Sequence, residues 1–305
     1  ADAVEIVSAS ADRVESVWPQ AGPGGVGGGE LAHLRPAAQR EWKQRVIAGQ
    51  LRRVGGEALA EAVASLGGVH VAPAVGDEDP SDPLTGRRSR IDVVIDEAGR
   101  AGMHEFRGRR VIALDDMPLA VHAIRELGLF DEETPWRHLW KPGERVRAVA
   151  PSTGAPIIVI GQDSYAADGT RIDVDTVRWD VPVAGTLESY DVRPSGFWQT
   201  HVRGAQVLAN AVVAGAFGAD ESGVGRAVME LYSGAGLFSV PLARAVGETG
   251  RVVTLEGEEG AVRDAGENLA AFHWVDAFAG NVDREGVVDL AGQLGAVPDV
   301  VVADP

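Results

Sequence analysis

Cysteine is missing from all 305 residues, which removes disulfides, thiolate metal ligands and a cysteine nucleophile from their chemistry. Lysine occurs only as Lys43 and Lys141, so arginine carries nearly all the positive charge. No apolar run approaches the roughly 18 residues of a membrane-spanning helix. The opening Ala1-Asp2-Ala3-Val4-Glu5 lacks the basic and apolar regions of a secretory signal. The expectation is a cytoplasmic chain with no membrane partner. The histidines His33, His70, His104, His122, His138, His201 and His273 are scattered without ligand spacing, so no metal is assigned. Positive charge is in deficit overall: a net charge of −17 argues against broad, non-specific nucleic-acid binding, although not against a local basic face. What remains is ordinary globular material, 45% hydrophobic and long enough for about two domains.

Punctuation by glycine and proline divides the chain. Val4 to Val7 reads as the end of a strand, and with no initiating methionine, residues 1–17 are expected to be the tail of a missing N-terminal domain. Residues 18–33 form a glycine-dense loop. Pro36 opens a helix to about Arg53, with Trp42, Val46, Ile47 and Leu51 on one face, and Glu57 to Leu66 forms a second, stopped by Gly67-Gly68. From Val69 to Val192 the period changes to two. Strands are expected at 90–95, 102–106, 111–114, 146–149, 156–160 and 172–177, with a helix from Asp116-Met117-Pro118 through Leu127. Residues 18–192 are thus expected to be a β-rich α+β middle domain. After Pro194 a helix spans Val202 to Phe217. Strands at 226–232, 251–256, 275–280 and 298–303 then alternate with helices at 237–247, 258–272 and 283–294. This predicts an α/β, Rossmann-like parallel-sheet domain over 193–305. Because Pro305 follows a strand directly, that sheet is expected to be unfinished.

The stretch Met229 to Phe238 is a buried strand, a glycine turn made by Gly234 and Gly236, and a helix start. A G-x-G turn lets backbone N–H groups approach a ligand that a Cβ would hold off. Glu256 ends the next strand, twenty residues after Gly236, the separation at which an acidic side chain reaches ribose hydroxyls. Ligands of open parallel sheets sit beyond the carboxyl ends of the strands. There the loop with Tyr232, then Glu256, Asn281 and Asp304, offers one polar group per strand. A dinucleotide fingerprint wants a third glycine where Ser239 stands, whereas S-adenosylmethionine needs only two. S-adenosylmethionine is therefore favoured, with an NAD-dependent oxidoreductase as the alternative.

The segment Glu230-Leu231-Tyr232-Ser233-Gly234-Ala235-Gly236-Leu237-Phe238-Ser239-Val240-Pro241-Leu242-Ala243 resembles the cofactor motif of the RNA uridine-5-methyltransferase family. Gly196-Phe197-Trp198-Gln199-Thr200-His201, Thr254-Leu255-Glu256, Glu267-Asn268-Leu269, Ala279-Gly280-Asn281-Val282 and Asp299 to Pro305 follow in family order. The resemblance covers 193–305 well. It reaches weakly to Val26-Gly27-Gly28-Gly29, His33, Gln39 and Lys43. It implies that Gln199, Tyr232, Gly234, Gly236, Glu256, Asn281 and Asp304 hold S-adenosylmethionine. It also implies that Phe197 or Trp198 lies near a uridine of structured RNA, tRNA or rRNA, flipped from its stack. An aromatic there is equally a core residue.

The chain departs from the family at three places. The cluster cysteines would fall near Trp18, Val26 and Gly29, so no iron–sulfur cluster is expected. Leu237 stands where relatives often carry asparagine. The cysteine that attacks C6 of uracil and the glutamate base are expected beyond Pro305, so no catalytic residue is assigned within the chain. A degenerate relative that holds RNA or cofactor without turnover is the further alternative. Arg87, Arg88 and Arg90, with Arg107, Arg109 and Arg110, flank the middle-domain strands. They are read either as an RNA-backbone footprint or as a solvated sheet edge. The chain is expected to be a monomer.

Overall fold

Proline and glycine set the element boundaries. The computed structural model describes residues 5–218 and 222–305. After the glycine loop come α1 (Pro36–Ser65), β1 (Arg90–Ile95), β2 (Ala101–His104), β3 (Val111–Ala113) and α2 (His122–Arg125). Six strands follow: β4 (Arg145–Val149), β5 (Ile157–Ile160), β6 (Asp163–Ala166), β7 (Arg171–Ile172), β8 (Val177–Val183) and β9 (Thr186–Val192). The C-terminal part alternates: α3 (Gly204–Phe217), β10 (Ala227–Leu231), α4 (Ser239–Val246), β11 (Arg251–Glu256), α5 (Glu259–Leu269), β12 (Val275–Ala279), α6 (Arg284–Leu294) and β13 (Val300–Ala303). Two compact units result, Ala1–Arg88 with Asp92–Val146, and Ser89–Ile91 with Arg147–Pro305.

In the first unit β1, β2 and β3 form an antiparallel ladder. Trp18, Ala21 and Val26 of the glycine loop are buried, so two of the three positions that the resemblance marks for cluster ligands are filled by packed apolar side chains. The two expected helices are one run broken at Gly56, whose φ of 82° is left-handed and ends regular helical geometry there. Its expected apolar face is not buried: Trp42, Val46 and Ile47 are each more than a third exposed. The helix expected from Asp116 to Leu127 shrinks to α2. Residues 117–120 are instead a turn closed by Ala120 N–H to Met117 O, and Val121 is extended. The expected strand 172–177 is interrupted, with β7 ending at Ile172 and β8 starting at Val177. No strand covers residues 5–7, and Val4 lies outside the described residues.

In the second unit β10 to β13 build an all-parallel sheet of order β12-β11-β10-β13. The α/β, Rossmann-like class is therefore the observed one. Val228 and Val252 point into a core shared with α3, α4 and α5; Met229, Val253 and Leu255 point to the other face, onto α6. The hairpin β8–β9, whose buried residues alternate along β8, contributes Val177, Trp179, Val181, Val183, Tyr190 and Val192 to that first core. This shared core groups residues 147–192 with the parallel sheet, so the compact division does not fall at 192/193, where the sequence pattern changes. Strand order reverses at β10, and the crevice that such a reversal opens lies at the carboxyl ends of β10 and β13. Among the described residues, no helix is long and apolar enough to cross a membrane.

Candidate functional site

At that crevice lies a cavity of about 840 Å³, within the usual range for small-molecule sites. Its wall includes Phe197, Trp198 and Gln199 before α3, Tyr232, Ser233 and Gly234 after β10, Glu256 at the end of β11 and Glu258 after it, and Asp304 after β13. Six of the predicted positions therefore converge with Gly234. Asn281 and Gly236 do not line the cavity. Asn281 is exposed beyond β12, the strand farthest from the reversal. Gly236 has a structural place: its φ of 88° is left-handed, a conformation that a side chain rarely adopts, at a turn that packs beside Ala265 of α5.

The turn after β10 is held from its neighbour. The backbone N–H groups of Tyr232 and Ser233 both donate to Leu255 O. Tyr232 sits at φ 62°, a left-handed conformation unusual for a bulky side chain, and is 40% exposed. Gly234 has φ 54°, and a Cβ there would meet nothing within 4 Å, so its backbone faces open space. Its N–H donates to Glu256 Oε2 at 2.9 Å, while Glu256 Oε1 accepts from Glu258 N–H at 2.8 Å. Each carboxylate oxygen keeps a lone pair for a further donor. Ser233 Oγ is buried in the same wall, without a hydrogen-bond partner among the described residues.

Below the turn lies Glu230, 1% exposed. Ser239 Oγ donates to its Oε2 at 2.6 Å, but among the described residues Oε1 has no hydrogen-bond partner, nor has Oγ1 of Thr254, its register neighbour in β11. Burial pushes the Glu230 carboxyl up to about 8, against the Ser239 hydrogen bond; the charge of Glu256 adds to the rise.

The segment before α3 is clamped by two arginines. Arg90 Nη2 donates to Pro194 O and Gly196 O, and Arg147 Nη1 donates to Ser195 O. Arg193 adds ion pairs to Asp264 and Glu258. The two aromatics that follow differ in burial. Trp198 is buried, stacked on Trp179 at 5.7 Å and tilted on Tyr190 at 5.2 Å; Phe197 is 72% exposed. Trp198 is thus a core residue that also reaches the wall. Tyr190 Oη donates to Leu237 O at 2.9 Å, which ties β9 to the turn. The expected footprint of Arg87 and Arg90 is corrected. Arg87 is paired with Asp77 and Asp82, and Arg90 is 6% exposed within the clamp; Arg88 alone of the three is exposed. Ser233, Arg193 and Glu258 escaped the sequence reading. Ser233 sits inside the glycine turn, which was its signal; nothing local marks the other two.

The charged residues of the wall are Glu256, Glu258, Asp304 and Arg193, and Arg193 is already bound to two carboxylates. Such a wall favours a cationic ligand and opposes a pyrophosphate.

No protein-family model matches the chain. An uncharacterised RNA methyltransferase of Bifidobacterium longum is 34% identical over 319 residues, covering 100% of this chain and 69% of the relative. Another, of Streptomyces avermitilis, is 33% identical over 327 residues, covering 100% and 71%. The 23S rRNA (uracil(1939)-C(5))-methyltransferase RlmD of Acinetobacter baylyi is 46% identical over 63 residues, 20% of this chain and 14% of that protein. With a parallel-sheet fold, a convergent strand-end cavity and relatives aligned along its whole length, the chain belongs to the RNA methyltransferase family.

Proposed function

We propose that the C-terminal unit binds S-adenosylmethionine and serves methylation of C5 of a uridine in structured RNA, tRNA or rRNA. The observation that carries this is the convergence of Tyr232, Gly234, Glu256 and Asp304 on one acidic cavity. Glu256 suits two ribose hydroxyls, since both its oxygens are oriented by backbone donors and keep acceptor capacity. Asp304 suits an ammonium, Gln199 a polar edge, and the orphaned Ser233 Oγ a polar atom of the ligand. Bound there, S-adenosylmethionine would supply an electrophilic methyl group. Phe197, exposed at the wall, is proposed to meet the target base. Asn281, still proposed as an adenine contact, would have to act from outside the present wall. The uracil assignment is supported by the motif set and by the short RlmD alignment. No thiol is among these residues, so the share of the reaction assigned to them is holding cofactor and base.

Isothermal calorimetry with S-adenosylhomocysteine tests the reading. Binding that Glu256→Ala weakens at least ten-fold is expected. Absence of binding by the folded chain, or binding indifferent to that change, would falsify it.

A further inference from the structure

The β2–β3 hairpin of the first unit plays no part in the cofactor cavity. Glu105 N–H donates to Arg110 O, and Gly108 N–H to Glu105 O, closing a tight turn through Phe106 and Arg107. The third turn position is Arg107 at φ 60°, where glycine or asparagine is the favoured residue. The arginine is strained there, and the conformation brings its guanidinium over the Phe106 ring, 5.0 Å from the centroid. Phe106 is 52% exposed, yet it is fixed. Its N–H donates to Gly25 O, and its ring packs so closely on Gly27 that a Cβ there would lie 2.9 Å from Cδ2. Exposed Arg109 and Arg110 follow; Arg110 pairs with Glu105 at 3.2 Å. In a chain of net charge −17, this tip sets three arginines against one glutamate.

We infer that this tip docks RNA: an unpaired base stacks on the Phe106–Arg107 pair while Arg109 and Arg110 hold the flanking phosphates. A merely solvated turn has no use for an oriented, half-exposed aromatic or for an arginine in a glycine conformation. An acidic peptide would use the charges but not the stack. The inference rests on the RNA substrate proposed above, but not on the cofactor cavity.

The test is fluorescence anisotropy of the full chain with a 5′-fluorescein dodecauridylate, titrated from low to moderate KCl, beside calorimetry with S-adenosylhomocysteine. Phe106→Ala is expected to weaken oligonucleotide binding about ten-fold with an unchanged salt slope, and Phe106→Trp to restore it. Arg109→Ala is expected to weaken binding and lower the log–log salt slope by about 0.7, one phosphate contact on a single strand. Arg107→Gly relieves the strained backbone. It is expected to lose affinity with no loss of thermal stability, which separates recognition from folding. S-adenosylhomocysteine affinity stays unchanged in all four. Oligonucleotide binding by a chain that fails to bind S-adenosylhomocysteine supports the docking tip while removing the cofactor reading. Wild-type chain that ignores the oligonucleotide, or equal affinities and slopes across the variants, overturns the inference. Loss with Arg109→Ala but not with Phe106→Ala or Arg107→Gly overturns the stacking contact.

Discussion

Glu256 accepts the backbone N–H of Gly234 at 2.9 Å, so the end of β11 holds the turn that follows β10. One carboxylate therefore shapes the turn and faces the cavity at once. Glu256→Gln keeps an acceptor oxygen for Gly234 but loses the charge. It is expected to bind S-adenosylhomocysteine several-fold more weakly with little change in stability, whereas Glu256→Ala loses at least ten-fold. Calorimetry and urea unfolding on the same samples check both arms.

Glu230 links stability to pH. Its folded value, about 8, lies above the ordinary 4.5, because burial disfavours the charged form. The unfolded chain releases this proton first. The stabilising contribution is thus full below about pH 4.5 and is lost as pH rises through about 8, at up to about 1.4 kcal/mol per pH unit. Glu230→Gln keeps a neutral acceptor for Ser239 and is expected to abolish this component. Urea midpoints compared at pH 6 and pH 9 decide it: the variant should gain on wild type at the higher pH. Equal pH dependence in both would contradict the assignment.

Tyr190→Phe removes the donor to Leu237 O inside the core. A buried carbonyl left unpaired costs about 1–3 kcal/mol. Chemical denaturation of the full chain should show a loss in that range. Because Leu237 continues the glycine turn, a modest fall in S-adenosylhomocysteine affinity is expected alongside it.

Phe197 and Trp198 are adjacent but should respond oppositely. Trp198→Ala empties a buried aromatic stack and is expected to destabilise the chain by about 3–5 kcal/mol. Phe197→Ala removes a side chain that is 72% exposed and should leave the melting temperature almost unchanged while weakening RNA binding. A destabilised Phe197→Ala would place that ring in the core instead.

Tyr232→Gly relieves a left-handed residue that costs about 1–2 kcal/mol. The variant should be no less stable than wild type yet bind S-adenosylhomocysteine more weakly, a combination that thermal shift with and without ligand would reveal. Retained affinity would leave the strained tyrosine without a role in the cavity.

Much of the C-terminal unit was legible along the chain. Short apolar strands, 3.6-period helices and glycine stops are local signals, and they located β10 to β13 and α4 to α6 to within a few residues. The glycine turn with Glu256 carried its own spacing. Arrangement across sequence distance was not legible. Nothing near Arg90 announces that it clamps carbonyls at 194 and 196, since that contact exists only after residues about a hundred positions apart meet. The same holds for the hairpin β8–β9, which joins the parallel sheet because its buried face completes that core. Which of two neighbouring aromatics is buried, which predicted polar group misses the cavity, and which arginines are already spent on carboxylates were settled by packing and pairing. By itself, the sequence determined the strands and helices of the C-terminal part, the turn chemistry and the absence of a thiol. Tertiary structure alone decided which side chains share a wall, because burial and charge pairing depend on every neighbour that folding brings near.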